Sequence, residues 1–149
     1  MNKKEIYIVE DAVDNSVYWN RYYKSRLCSE EPSLFARYVA TLVEPGRQMV
    51  ELGCGNGRDA VFFASRGLHI TALDMSQEAI SQLRSRGLAN ATFLCDDFVN
   101  SDVHCPDSYD YAYSRFTIHS INQNQEQVLL NRLFPVCGPA ESCLLRCGE

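Results

Sequence analysis

The residues best suited to chemistry stand together in Glu51-Leu52-Gly53-Cys54-Gly55-Asn56-Gly57, with Asp74 seventeen residues further on. Glycines at this spacing let a backbone turn sharply and lie against a ligand with no Cβ in between. A carboxylate closing the next strand can accept two hydrogen bonds from a ribose diol. The arrangement points to a nucleotide-type cofactor. A dinucleotide fingerprint, G-x-G-x-x-G, counted from Gly53 needs glycine at position 58, where the chain has Arg58. The spacing found is G-x-G-x-G, preceded two positions earlier by an acid, and it disfavours NAD.

Positioning that loop requires strands and helices in alternation. Met49–Leu52 reads as a short buried strand, and a helix runs from Arg58 to Arg66, stopped by Gly67. His69–Asp74 is a second strand. Ser76 can cap a third helix that turns Ala79, Ile80 and Leu83 inward and stops at Gly87. Ala91–Cys95 and Tyr109–Ser114 follow as strands, and Gln123–Phe134 as a helix. Upstream, Tyr18, Trp19, Tyr22 and Tyr23 recur at helical spacing between Asn15 and Cys28. Glu31-Pro32-Ser33 opens a helix with the face Leu34, Phe35, Tyr38, Val39 and Leu42, ended by Pro45-Gly46. This order predicts an α/β fold: a Rossmann-like, doubly wound parallel sheet with helices on both faces. We expect one domain over residues 1–149: an arm and aromatic lid (1–30), a cofactor-binding core (31–135) and an atypical tail (136–149).

Composition narrows the function. The chain has 149 residues, 46% hydrophobic and 22% charged, with a net charge of -5. Eight Tyr, seven Phe and one Trp argue against disorder. Fourteen basic against nineteen acidic residues leave no basic face for nucleic acid. Apolar runs such as Ala60–Ala64 fall far short of the roughly 20 residues a membrane span needs. Acids at Glu5, Glu10, Asp11 and Asp14 break up any signal region, so the cytoplasm is the expected compartment. The seven cysteines, at 28, 54, 95, 105, 137, 143 and 147, form no CxxC, and no histidine pair has ligand spacing. We expect reduced, mostly buried thiols and no metal.

From about Tyr18 to Phe134 the chain resembles the class I S-adenosylmethionine-dependent methyltransferases. The resemblance implies that Glu51, Gly53, Cys54, Gly55 and Gly57 wrap the methionine and ribose parts of the cofactor. It places Asp74 on both ribose hydroxyls and Met75 beside the adenine. Asp97-Phe98 matches the next motif, with Asp97 accepting from the adenine amino group and the Phe98 backbone N–H meeting a ring nitrogen; Asp96 is its neighbour and second choice. Asn56–Ala64 looks like a bacterial small-molecule branch related to tellurite-resistance and natural-product enzymes. Ser114-Arg115-Phe116-Thr117-Ile118-His119-Ser120-Ile121 resembles that branch's segment beside the departing methyl group, which implies a site role for Ser114. Tyr18 and Trp19, within Tyr18–Tyr23, resemble its N-terminal lid, half of which we expect to pack as core.

The resemblance implies methyl transfer to a small molecule by in-line displacement, yielding S-adenosylhomocysteine. His119 would serve as base for a protonated amine or hydroxyl. With an anionic acceptor, His119 and Arg115 would bind it instead, although Arg115 could equally pair with a neighbouring acid. The alternative is a cofactor-binding module without turnover. The family's Leu-x-Pro-Gly-Gly-x-Leu turn before strand five is replaced here by Val136–Cys143, and at most a fifth strand, Cys143–Cys147, follows. A one-nucleotide shift of frame permits Leu-Arg-Pro-Gly-Gly-Lys-Leu from codons for these residues. The tail is therefore expected to be the frameshifted end of a longer methyltransferase, checked by resequencing the source DNA. Without the family's terminal strand hairpin, strand four or five becomes an exposed edge, which implies a homodimer or a poorly soluble monomer.

Overall fold

The computed structural model describes residues 16–25, 29–103, 108–136 and 143–146; the expected arm, and Cys28, Cys105, Cys137 and Cys147, lie outside them. Helices α1 (Ser16–Ser25) and α2 (Leu34–Val39) precede the alternating part of the chain. That part runs β1 (Gln48–Leu52), α3 (Arg58–Ser65), β2 (His69–Asp74), α4 (Gln77–Ser85), β3 (Ala91–Cys95) and β4 (Tyr111–Arg115). A 3-10 turn (Ile118–Ser120), α5 (Gln123–Val136) and β5 (Cys143–Arg146) complete it. The strands form one sheet in the order β3-β2-β1-β4-β5, and every pairing is parallel. Order reverses between β1 and β4, so a crevice opens beyond their carboxyl ends. In register, Leu52 lies between Leu73 of β2 and Ser114 of β4.

Each face of the sheet buries its own apolar cluster. One joins Ala60, Phe63 and Ala64 of α3 and Ile80 and Leu83 of α4 to Met49, Ile70, Phe93 and Tyr113. The other packs Leu129 and Leu133 of α5 on Val50, Leu52, Leu73 and Ala112. This is the expected doubly wound arrangement, with β1 and β2 alternating their side chains between two covered faces. Tyr113 is fully buried between the rings of Phe35, at 5.5 Å, and Phe63, at 4.9 Å.

Several local expectations are corrected. α2 buries Ala36 and Val39, whereas Leu34, Tyr38 and Leu42 are exposed. Ser33 fixes the rotation: its hydroxyl caps Ala36 N–H while its own N–H and hydroxyl bond to Asp59 of α3. No residue of α1 is buried, so the aromatic lid contributes a wall rather than core. Strand β4 begins at Tyr111, two residues later than expected, because Asp110 accepts the Gln48 N–H through its side chain. Cys54 is buried and Cys95 exposed, both as free thiols.

Candidate active site

All three loop glycines adopt left-handed φ, +68° at Gly53, +57° at Gly55 and +73° at Gly57. A Cβ at Gly53 would strike the side chain of Thr117, and one at Gly55 the hydroxyl of Tyr23. At Gly57 it would strike Leu83, so this glycine serves the packing of α4 against the loop. The loop is thereby pressed between the segment after β4 and the helix α1. Cys54 anchors it from inside, donating its N–H to the Leu73 carbonyl at 2.9 Å.

Asp74 meets the loop directly. Its Oδ2 accepts the Gly55 N–H at 2.9 Å and its Oδ1 the Ser76 N–H at 2.8 Å. Burial pushes the carboxyl above its ordinary value, against the pull of those two donors. A carboxylate has about four acceptor sites, so each oxygen retains capacity for a further donor. Glu51 is more isolated: it is buried, and its Oε2 has no hydrogen-bond partner among the described residues. Desolvation, with Asp59 nearby, drives its pKa well above the carboxylate range.

A cavity of about 700 Å³ lies over these groups, a size ordinary for a small-molecule or cofactor site. Glu51, Gly53, Cys54, Gly55, Asp74, Met75, Asp97 and Phe98, expected together from the sequence, all line it. Asp97 tightens its own turn by accepting the Val99 N–H at 3.0 Å. Asp96 does not line the cavity and bonds to the Ser101 hydroxyl instead. Trp19, Tyr22 and Tyr23 of α1 form the roof, with Trp19 and Tyr23 stacked at 6.1 Å. Tyr18 is not among the lining residues; one position along the helix from Trp19, it is 62% exposed. Gly57 and Ser114 are likewise set back: Ser114 is fully buried, and its hydroxyl donates to the Leu52 carbonyl.

The far wall is Arg115, Phe116, Thr117 and Ser120–Asn122 with Gln125. Arg115 does pair with an acid, donating from Nε to Asp59 Oδ2 at 3.1 Å. Asp59, a lining residue not singled out in the sequence, also accepts the Ser33 N–H, the Ser33 hydroxyl and the Tyr113 hydroxyl. These donors, with Arg115, hold its carboxyl below the ordinary value despite burial. Phe116 takes φ +58°, the one non-glycine among the described residues with positive φ, and its ring lies 4.7 Å from the Arg115 guanidinium carbon. Left-handed backbone at a bulky residue costs roughly 1–2 kcal/mol and is concentrated at functional sites. No sequence signal announces it. His119 lies on the 3-10 turn between the lining residues Thr117 and Ser120; its side chain is outside the described part.

A strand–glycine loop–helix at the switch point of a 3-2-1-4-5 parallel sheet, with an acid closing the second strand, defines a nucleotide-cofactor-binding α/β domain. Residues 49–140, more than half of the chain, match the methyltransferase domain family, and the chain belongs to the class I S-adenosylmethionine-dependent methyltransferases. Over 76 residues it is 33% identical to the malonyl-[acyl-carrier protein] O-methyltransferase of Salmonella typhimurium, a match covering 49% of this chain and 30% of that protein. Phosphoethanolamine N-methyltransferase 1 of Triticum aestivum is 26% identical over 114 residues, covering 70% of this chain and 23% of the relative. The TehB-like SAM-dependent methyltransferase of Corynebacterium glutamicum shares the fold, with a TM-score of 0.62 at 15% identity over 82% of this chain and 64% of that one. The chain thus matches less than a third of either curated relative's length.

The site suits S-adenosylmethionine on its own chemistry. Glu51 Oε2 is a buried acceptor with no donor among the described residues, and Asp74 keeps acceptor capacity in the cavity. The ammonium and ribose hydroxyls of that cofactor are donors, and the cradle at Gly53 and Gly55 is closed to side chains.

Proposed function

We propose that this chain binds S-adenosylmethionine and carries out methyl transfer to a small-molecule acceptor in the cytoplasm. The bond between Asp74 and the Gly55 N–H carries this reading, because it locks the ribose-reading carboxylate to the glycine loop at the switch point. When bound, S-adenosylmethionine supplies an electrophilic methyl group for in-line displacement. The chain's part is to bind, orient and exclude water. Glu51 and the loop hold the methionine end, Asp74 the ribose, and Met75, Asp97 and Phe98 the adenine. Trp19, Tyr22 and Tyr23 keep water from the methyl-transfer end, where alignment is worth roughly 7–11 kcal/mol. The curated relatives named above are an O- and an N-methyltransferase, which supports an oxygen or nitrogen acceptor here too. An amine or hydroxyl acceptor arrives protonated, and His119, between two lining residues, is the base we assign to it.

Two copies would pair along β5, the last strand of the sheet order among the described residues, as sheet edges tend to. Sedimentation at high concentration tests that pairing, and a stable monomer contradicts it. The activity itself is tested by offering methyl-labelled S-adenosylmethionine with a panel of small hydroxylated and aminated acceptors. Transfer that is lost in Asp74→Ala supports the reading; a chain that transfers to none of them contradicts it.

A further inference from the structure

Glu51, Asp59, Asp74 and Asp97 line the cavity, and its cationic side chains among the described residues are Arg58 and Arg115, both near enough to Glu51 to pull its pKa down against burial. Asp59 stands between the two arginines, 3.1 Å from Arg115 Nε and 4.0 Å from Arg58 Nε. Its Oδ2 already accepts from Ser33, Tyr113 and Arg115, and its Oδ1 from the Ser33 N–H. Asp59 is therefore a saturated support that fixes one edge of the Arg115 guanidinium. The Nη nitrogens of Arg115 make no hydrogen bond to any described residue, and neither does the Arg58 guanidinium. Arg115 rests on the ring of Phe116, whose left-handed backbone sets it there. Asp59 is 2% exposed, whereas the Arg115 and Arg58 side chains are 20% and 27% exposed and Phe116 42%, so the arginines reach outward from a buried support.

We infer that Arg115, held by Asp59, and Arg58 beside it form an anion subsite on the Phe116 side of the cavity that takes a carboxylate or phosphate group of the methyl acceptor. The inference rests on the cofactor reading above. A planar guanidinium with its Nε occupied still presents the Nη pair as a fork for oxyanions. Asp59 occupies only the Nε edge of Arg115 and stands 4.0 Å from Arg58, so both guanidinium groups keep donors that an acceptor bringing negative charge can use. Arg115 and Arg58 bind substrate in this account, and Asp59 is a positioning residue.

Trp19 is the chain's one tryptophan and lines the same cavity, so its fluorescence reports occupancy. The test titrates the chain, with and without S-adenosylhomocysteine, with inorganic phosphate and with acetate, using chloride at matched ionic strength as control. The expected result is a saturable response to phosphate or acetate beyond chloride, weakened about tenfold or more in Arg115→Gln. Whichever anion binds tighter tells phosphate from carboxylate. Arg58→Gln repeats the test should Arg115→Gln not fold. Phosphate and acetate matching chloride in a chain that binds S-adenosylhomocysteine would overturn the subsite and leave the cofactor reading standing. Failure of S-adenosylhomocysteine to bind overturns the cofactor reading instead, while the anion response of the free chain still scores the arginines. Arg115→Gln losing S-adenosylhomocysteine yet keeping methylthioadenosine would assign the fork to the cofactor's carboxylate and overturn the proposal.

Discussion

Asn20 of α1 accepts the Ser76 hydroxyl at 2.9 Å, and its side-chain oxygen also takes the Glu78 N–H at 3.2 Å. Ser76 in turn caps α4 and gives its N–H to Asp74. The helix that roofs the cavity is thus fastened to the turn that holds Asp74. Removing this tie leaves the core intact, because α1 buries no residue. Asn20→Ala should weaken S-adenosylhomocysteine binding about fivefold, the equivalent of about 1 kcal/mol for a lost hydrogen bond. Its unfolding midpoint in urea should stay near that of the parent. Trp19 fluorescence titration measures the first, and unchanged affinity would detach the roof from the cofactor.

Glu51 is expected to trade stability for binding. Its folded pKa is raised, so its share of stability is full below the unfolded value and is lost as pH rises through the folded one. At neutral pH it therefore costs the free chain stability. Glu51→Gln should stabilise the free chain by roughly 1–2 kcal/mol near pH 7, with the gain vanishing in acid. The same substitution should weaken S-adenosylhomocysteine. Denaturant melts across pH decide it; a destabilised variant at neutral pH would mean that the unpaired oxygen is not a burden.

Asp59 has the opposite sign. Its folded pKa is depressed, so its contribution is present above the unfolded value and disappears as pH falls through the folded one. Asp59→Ala strands Arg115 and the Ser33 and Tyr113 donors, and should cost roughly 3 kcal/mol at neutral pH. The difference from the parent should shrink in acid. A loss independent of pH would argue that volume, not charge, is what matters there.

Gly57 and Gly46 separate backbone strain from packing. Both have positive φ, but a Cβ at Gly46 meets nothing within 4 Å, while one at Gly57 meets Leu83. Alanine should cost roughly 1–2 kcal/mol at Gly46 through strain alone. Gly57→Ala should cost about 1–3 kcal/mol more through overpacking. Equal losses in thermal or urea melts would remove the packing role assigned to Gly57.

The strands and their order of use were legible in the sequence because period and punctuation agree there: β2 and β3 have the expected bounds, and Ser76 caps α4 as read. The cavity lining around the glycine loop was legible for the same reason, since glycines and acids at strand ends stand out in the sequence. What escaped depends on contacts distant in sequence. Asp59 looks like an ordinary first-turn acid of a helix, and only the fold brings Ser33, Tyr113 and Arg115 to it. Phe35 and Val39 of the expected α2 face do pack on the core, but Leu34, Tyr38 and Leu42 were misjudged because apolar spacing cannot see the Ser33–Asp59 bonds that rotate the helix. Phe116 carries no local cue, because left-handed backbone at phenylalanine is imposed by its surroundings.

The most direct test of the central claim is calorimetric titration of the purified chain with S-adenosylhomocysteine, with NAD as control and Asp74→Ala alongside. The account predicts saturable binding of S-adenosylhomocysteine, its loss in Asp74→Ala, and no binding of NAD. A folded chain that ignores S-adenosylhomocysteine, or that prefers NAD, would contradict it.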